Sequence, residues 1–154
     1  DGRIGKKMIH TGDTGTQWGI GKEELMERIS ESAKATADHF GDHIAYINVL
    51  RNMSVSCDCE GTAAQPVVTP NIGILASTDI LAADQASVDL VYALPEKYRH
   101  DLVERMETRH GLRQLSYMKE LGMGCDRYVI LDMDHGSKPI TLAEAVKNVK
   151  PFKA

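Results

Sequence analysis

Two cysteines one residue apart, Cys57-Asp58-Cys59, are the strongest chemical signal in the sequence. Thiolate is the donor that soft transition-metal ions prefer, so two thiols on one loop are a place to hold such an ion or an iron–sulfur cluster. A bond between the two is disfavoured, because disulfide geometry is strained in so tight a ring. The competing reading is two small, half-buried loop residues with no ligand, since structural zinc sites usually space their cysteines by two to four residues and take four ligands. An all-cysteine cluster needs four thiolates, and the chain has three. A cluster held here would therefore borrow ligands or use a mixed donor set.

The remaining candidates are weaker. Cys125, in Gly122-Met123-Gly124-Cys125-Asp126, has no local partner and reads as a small packed residue. His10, in Ile9-His10-Thr11-Gly12-Asp13, is a metal ligand or proton carrier on a glycine-rich loop, or else a solvated histidine. His39, His43, His100, His110 and His135 read as helix-end or surface residues. Asp79, Asp84 and Asp89 recur every five residues; each step turns a helix by about 140°, so they do not share one face. Asp79 reads as a helix N-cap. Asp84, among alanines, needs a partner to offset the cost of burying its charge. It is either a metal ligand or a base beside one, or a structural acceptor of hydrogen bonds. The glycines before Lys22 match neither the P-loop nor the dinucleotide fingerprint, and no G-x-S-x-G or H-E-x-x-H element is present.

The elements that position these residues follow from hydrophobic periodicity. Lys22 to Phe40 predicts a helix with one apolar stripe, acidic in its first turn and stopped by Gly41. Residues 44–50 predict a buried strand leading into the cysteine loop. Val67-Val68 and Ile72 to Leu75 predict short strands. Ile80 to Leu94 predicts a central helix buried on most sides. Pro95 opens another helix with the face Tyr98, Leu102, Val103 and Met106, ended by Gly111. Leu112 to Leu121 predicts a short helix stopped by Gly122, and Tyr128 to Leu131 a strand. Thr141 to Val149 predicts a closing helix, with Thr141 and Glu144 at capping-box spacing. The expected fold is α/β, a layered sandwich with a mixed sheet flanked by helices.

Bulk properties bound the rest. The 154 residues suit one domain, 1–154. The chain is 42% hydrophobic and 26% charged, with a formal net charge of -4, which gives no support to nucleic-acid binding. No apolar run approaches the ~20 residues of a membrane helix, and no secretory leader is visible. An odd cysteine count is not a disulfide framework and predicts a reducing compartment, the cytoplasm. The start at Asp1-Gly2, without Met, predicts a piece of a larger protein.

Several pieces recur in a recognisable order: Tyr46-Ile47-Asn48, Cys57-Asp58-Cys59, Asn71 to Ser77, Asp79, Ala83-Asp84-Gln85-Ala86 and Asp89-Leu90. Together with the preceding helix and Leu121-Gly122-Met123-Gly124…Tyr128, they resemble the C-terminal half of an uncharacterised bacterial and archaeal family, domain of unknown function 362. Its members are often described as iron–sulfur centre proteins. The resemblance covers most of the chain and implies an α/β domain frequently joined to ferredoxin-type cluster modules. No C-x₂-C-x₂-C run is present here, so such a module would belong to the rest of the parent protein. Cys57 and Cys59 match the family's Cys-Asp-Cys element, and Asp84 its Asp-Gln element; Cys125 stands where a small polar residue is expected. The resulting expectation is a cytoplasmic metal- or iron–sulfur-associated domain of a redox protein. Cys57 and Cys59 are its expected ligands, and His10 and Asp84 additional ones. The alternatives are a small-molecule enzyme using Cys57 and Cys59 as nucleophile or redox thiols, and a non-catalytic scaffold for a ferredoxin partner.

Overall fold

The computed structural model describes residues 22–55 and 65–151. In chain order its elements are α1 (Lys22–Phe40), β1 (Tyr46–Leu50), β2 (Gly73–Ser77), α2 (Ile80–Ala93), α3 (Glu96–Thr108), α4 (Leu112–Glu120), β3 (Ile130–Asp132), β4 (Lys138–Ile140) and α5 (Leu142–Val146). The class is α/β, as the periodicity predicts. Among the described residues the strands form two antiparallel pairs, β1–β2 and β3–β4, where the sequence predicts one mixed sheet. The cause is visible where β1 ends: the Ile72 amide donates to the Leu50 carbonyl at 2.9 Å. The chain thus returns directly alongside itself, which makes the pair antiparallel.

Helix α2 is the hub, packing against β1, β2, α3, α4 and α5. Its low polarity explains this position, since Leu81, Ala83, Ala86, Leu90 and Val91 are all buried. Leu81 meets Leu115 and Met118 of α4, with Ile80, Val88 and Met123 packed around them. Full burial of a Leu or Met side chain stabilises by ~1.5–3 kcal/mol, so these residues hold α4 on the hub. The Asp79 carboxylate caps the start of α2 by accepting from the Ala82 amide at 2.9 Å.

Helix α1 lies on α4 through a polar seam at helical spacing. His110 meets Glu23, Arg113 meets Glu27, and the Tyr117 hydroxyl donates to Glu31. At its centre the fully buried Ser30 donates to Met26 O at 3.0 Å and across to Gln114 O at 3.2 Å. Arg113 also grips Glu120, and its hydrogen bond, helped by its charge, holds the Glu120 carboxyl below its ordinary pKa.

Three expected elements differ from those observed. The strand expected buried at 44–50 is shorter and buried on one face. Tyr46, Asn48 and Leu50 turn inward while Ile47 and Val49 stay exposed. Among the described residues the sheet packs against the hub helix, and an antiparallel sheet can leave its other face open. Val67-Val68 carries no strand, since Pro66 and Pro70 on either side lack the N–H a ladder requires. Strand β4 was not foreseen; Pro139 lies within it opposite Leu131, a position proline takes on edge strands. The closing helix is shorter than expected, but its capping box is present, with Glu144 N donating to Thr141 Oγ1 at 3.2 Å and Thr141 N to Glu144 Oε2 at 2.8 Å. No helix among the described residues is long and apolar enough to cross a membrane.

Candidate functional site

The three aspartates of α2 each fasten a different piece of the fold. Asp79 uses both oxygens: Oδ1 caps the helix, and Oδ2 accepts the Cys125 amide at 2.8 Å. That contact requires the backbone at Gly124 to come against the carboxylate, with φ +156° and no room for a side chain. Asp84 points the other way, to the sheet. Its Oδ1 accepts from Asn48 Nδ2 of β1 at 2.7 Å, and the same amide reaches Ser87 Oγ at 2.9 Å. Ser87 in turn donates to Ala83 O at 2.7 Å. Asp89 accepts from Gln85 at 2.9 Å through Oδ1 and from the Tyr128 hydroxyl at 2.5 Å through Oδ2. Burial, reinforced by the hydrogen bond to Asp89, holds the Tyr128 hydroxyl well above the ordinary tyrosine pKa.

Helical rotation accounts for this division. At ~100° per residue Asp79 and Asp89 lie about 80° apart, and Asp84 about 140° from each. Asp79 and Asp89 therefore both meet the segment after α4, at Cys125 and Tyr128, while Asp84 meets β1. This separation agrees with the expectation that the three share no face. Asp84 has the structural-acceptor role foreseen as one of its two readings. Among the described residues no group of three or more His, Cys, Asp or Glu is arranged to hold a metal ion.

Cys57, Cys59 and His10 lie outside the described residues, as does the glycine-rich stretch before Lys22. The roots of the cysteine loop are described, and they are fastened together. Beyond the β1–β2 ladder, Ile72 N bonds Leu50 O, and Asn52 N donates to Asn71 Oδ1 at 2.8 Å. On the returning limb Thr69 and Pro70 are buried. Val55 and Gln65, the described residues flanking the thiol segment, line a cleft of about 670 Å³ against α3. Pro66 and Val68 line it as well, and Asp101, Glu104, Arg105 and Arg109 face them from the helix.

The five other histidines are exposed, as expected. His135 pairs with Asp132 at 2.7 Å, and this bond lowers the Asp132 pKa. His100 pairs with Asp101 at 2.9 Å, and that hydrogen bond raises the imidazole pKa. Cys125 is exposed rather than packed, and is a free thiol. Its amide, not its sulfur, makes the contact with Asp79. Sequence reasoning missed Ser87 and the Tyr128–Asp89 bond. Ser87 had a usable signal, since it lies three residues after Asp84 and so on the same side of the helix. The Tyr128 contact joins residues 39 apart in sequence, and no local pattern encodes it.

No curated protein and no solved structure matches the chain. The motif order Tyr46-Ile47-Asn48, Asp79, Ala83-Asp84-Gln85 and Asp89 lies on β1 and α2, the two elements that the Asn48–Asp84 bond joins. The family model described as Domain of unknown function (DUF362) matches residues 2–89, more than half of the chain, and the protein belongs to that family.

Proposed function

We propose that the chain is a metal- or iron–sulfur-associated domain of a cytoplasmic redox protein, with Cys57 and Cys59 supplying two thiolate ligands. The observation that carries this reading is the fastened neck of their loop. The Ile72–Leu50 and Asn52–Asn71 bonds bring both limbs out of the sheet at one place. A loop rooted in this way loses less freedom when it takes up an ion, which favours binding. The donor chemistry suits a soft metal, and His10 is the candidate for a further ligand. Asp84 is less suited, because its Oδ1 is already committed to Asn48. A ferredoxin-type module in the parent protein would be the electron partner. The test is elemental analysis and visible absorption of anaerobically purified protein, beside Cys57→Ser and Cys59→Ser. Bound metal lost in both variants is the expected result. Metal-free wild-type protein that is indistinguishable from the variants refutes the reading.

The cleft beside the loop roots favours a second reading, an enzyme that acts on a small molecule with Cys57 or Cys59 as nucleophile or redox thiol. It predicts one thiol of depressed pKa that alkylates selectively; equal, slow labelling of all three thiols counts against it.

A further inference from the structure

We infer that the cleft between α3 and the limbs of the cysteine loop is a binding site for a small organic anion, a carboxylate or phosphate on an apolar body. Its two walls differ in chemistry. Val55, Pro66 and Val68 form an apolar side. The opposite side is the C-terminal end of α3, where Arg105 lies in the last turn and Arg109, four residues on, is the C-cap. Like charges at that spacing repel and weaken a helix, yet neither guanidinium has an ion pair or side-chain hydrogen bond among the described residues. Arg28, Arg99 and Arg113 are engaged, by Glu24, by the Tyr92 carbonyl, and by Glu27 and Glu120; what sets Arg105 and Arg109 apart is that both line one cleft.

Arg105 has a potential partner at the right spacing, Asp101, one turn earlier. Asp101 is held by His100 at 2.9 Å instead. Glu104 lines the same wall and does not pair with either arginine. The Thr108 hydroxyl donates to the Glu104 carbonyl at 2.7 Å. Two adjacent guanidinium groups without partners among the described residues, facing an apolar wall across about 670 Å³, match an anion with an apolar body. The planar donor forks of arginine grip a carboxylate or phosphate through paired hydrogen bonds, and the bound charge relieves their mutual repulsion. The cleft would bind such an anion whether or not the thiols are ligands.

The test is titration of the 154-residue chain with inorganic phosphate, citrate and adenosine monophosphate, followed by amide chemical shifts in NMR. Saturable shifts at 65–68 and 101–109 with at least one probe support the site, and the probe that saturates identifies the head group it takes. Arg105→Gln and Arg109→Gln should each weaken that probe by about tenfold, the loss of one charge-assisted contact. Arg105→Lys should recover part of the loss, since it keeps charge without the fork. Melting curves of the variants should match wild type, because neither side chain holds the fold. Absence of saturable shifts with all three probes, or shifts unchanged in the double Gln variant, overturns the assignment. The same titration on Cys57→Ser/Cys59→Ser protein should give the same result, so the metal proposal and this one fail separately.

Discussion

The approach of Gly124 to Asp79 sets up a sharp test of how the segment after α4 is held. A Cβ at position 124 would lie 2.0 Å from Asp79 Oδ1 and 2.8 Å from Oδ2, where ordinary contact begins near 3.4 Å. In Gly124→Ala the carboxylate must therefore move by more than an ångström, and its bonds to the Ala82 and Cys125 amides, 2.9 and 2.8 Å, cannot both survive. Loss of an N-cap costs ~1 kcal/mol, loss of a hydrogen bond to a charged group ~1.5–3 kcal/mol, and the backbone conformation a further ~1 kcal/mol for a residue other than glycine. Because the carboxylate is expected to keep one of its two bonds, the expected destabilisation is about 2–4 kcal/mol, or roughly 5–15 °C in melting temperature for a chain of this size. Urea denaturation followed by circular dichroism measures it, with an unchanged m-value showing that the native state is intact. Asp79→Ala removes the obstructing group, so Gly124→Ala should cost only its backbone share in that background. The double-mutant cycle should then show coupling of at least about 1 kcal/mol. Additivity within about 0.5 kcal/mol would mean that the carboxylate and the glycine do not constrain each other, and the steric argument would fail.

Two further outcomes follow from the other aspartates. Asn48→Ala strips Asp84 and Ser87 of their shared donor and should cost about 1–3 kcal/mol in the same urea assay; stability within about 0.5 kcal/mol of wild type would show that this bond does not hold α2 on the sheet. The Tyr128 hydroxyl has a raised pKa in the folded state, so its contribution to stability is complete below the ordinary tyrosine pKa of about 10 and is lost as pH climbs beyond it. Ultraviolet titration should show a late-ionising tyrosine that disappears in Tyr128→Phe, and a Tyr128→Phe profile identical to wild type would contradict the Asp89 bond.

Elements with a strong local signal were legible in the sequence, and pairings between distant elements were not. The apolar stripe and acidic first turn of Lys22–Phe40 place α1 at its observed bounds, and the alanine-rich run Ile80–Ala93 marks the buried hub. Short strands were harder. Gly73–Ser77 and Ile130–Asp132 are offset from their expected spans, because a four-residue, mostly apolar run does not define where its ladder begins; the partner strand does. Lys138–Ile140 was invisible, being a three-residue strand that contains a proline. Of the candidate site, the sequence marked Asp79 and Asp84 correctly as a cap and as a charge in need of a partner. It could not mark Gly124 as a contact of Asp79, since the two are joined only by the path of the chain through α2, α3 and α4.

The five-residue spacing first seen as three carboxylates with no common face has a structural use. A helix whose polar groups all lay on one side could fasten only one neighbour and would leave its other contacts to apolar packing, which is non-directional. By turning Asp84 away from Asp79 and Asp89, α2 fixes β1 on one side and both ends of the Cys125–Tyr128 segment on another. Hydrogen bonds set register where packing alone would allow sliding. The Asn48–Asp84 bond sets it only two residues before Leu50, where the ladder ends and the cysteine loop departs. Positional accuracy at the neck of that loop is therefore inherited from a carboxylate on the hub helix. This makes Asp84 a positioning residue for the described roots of that loop, and its removal should loosen them.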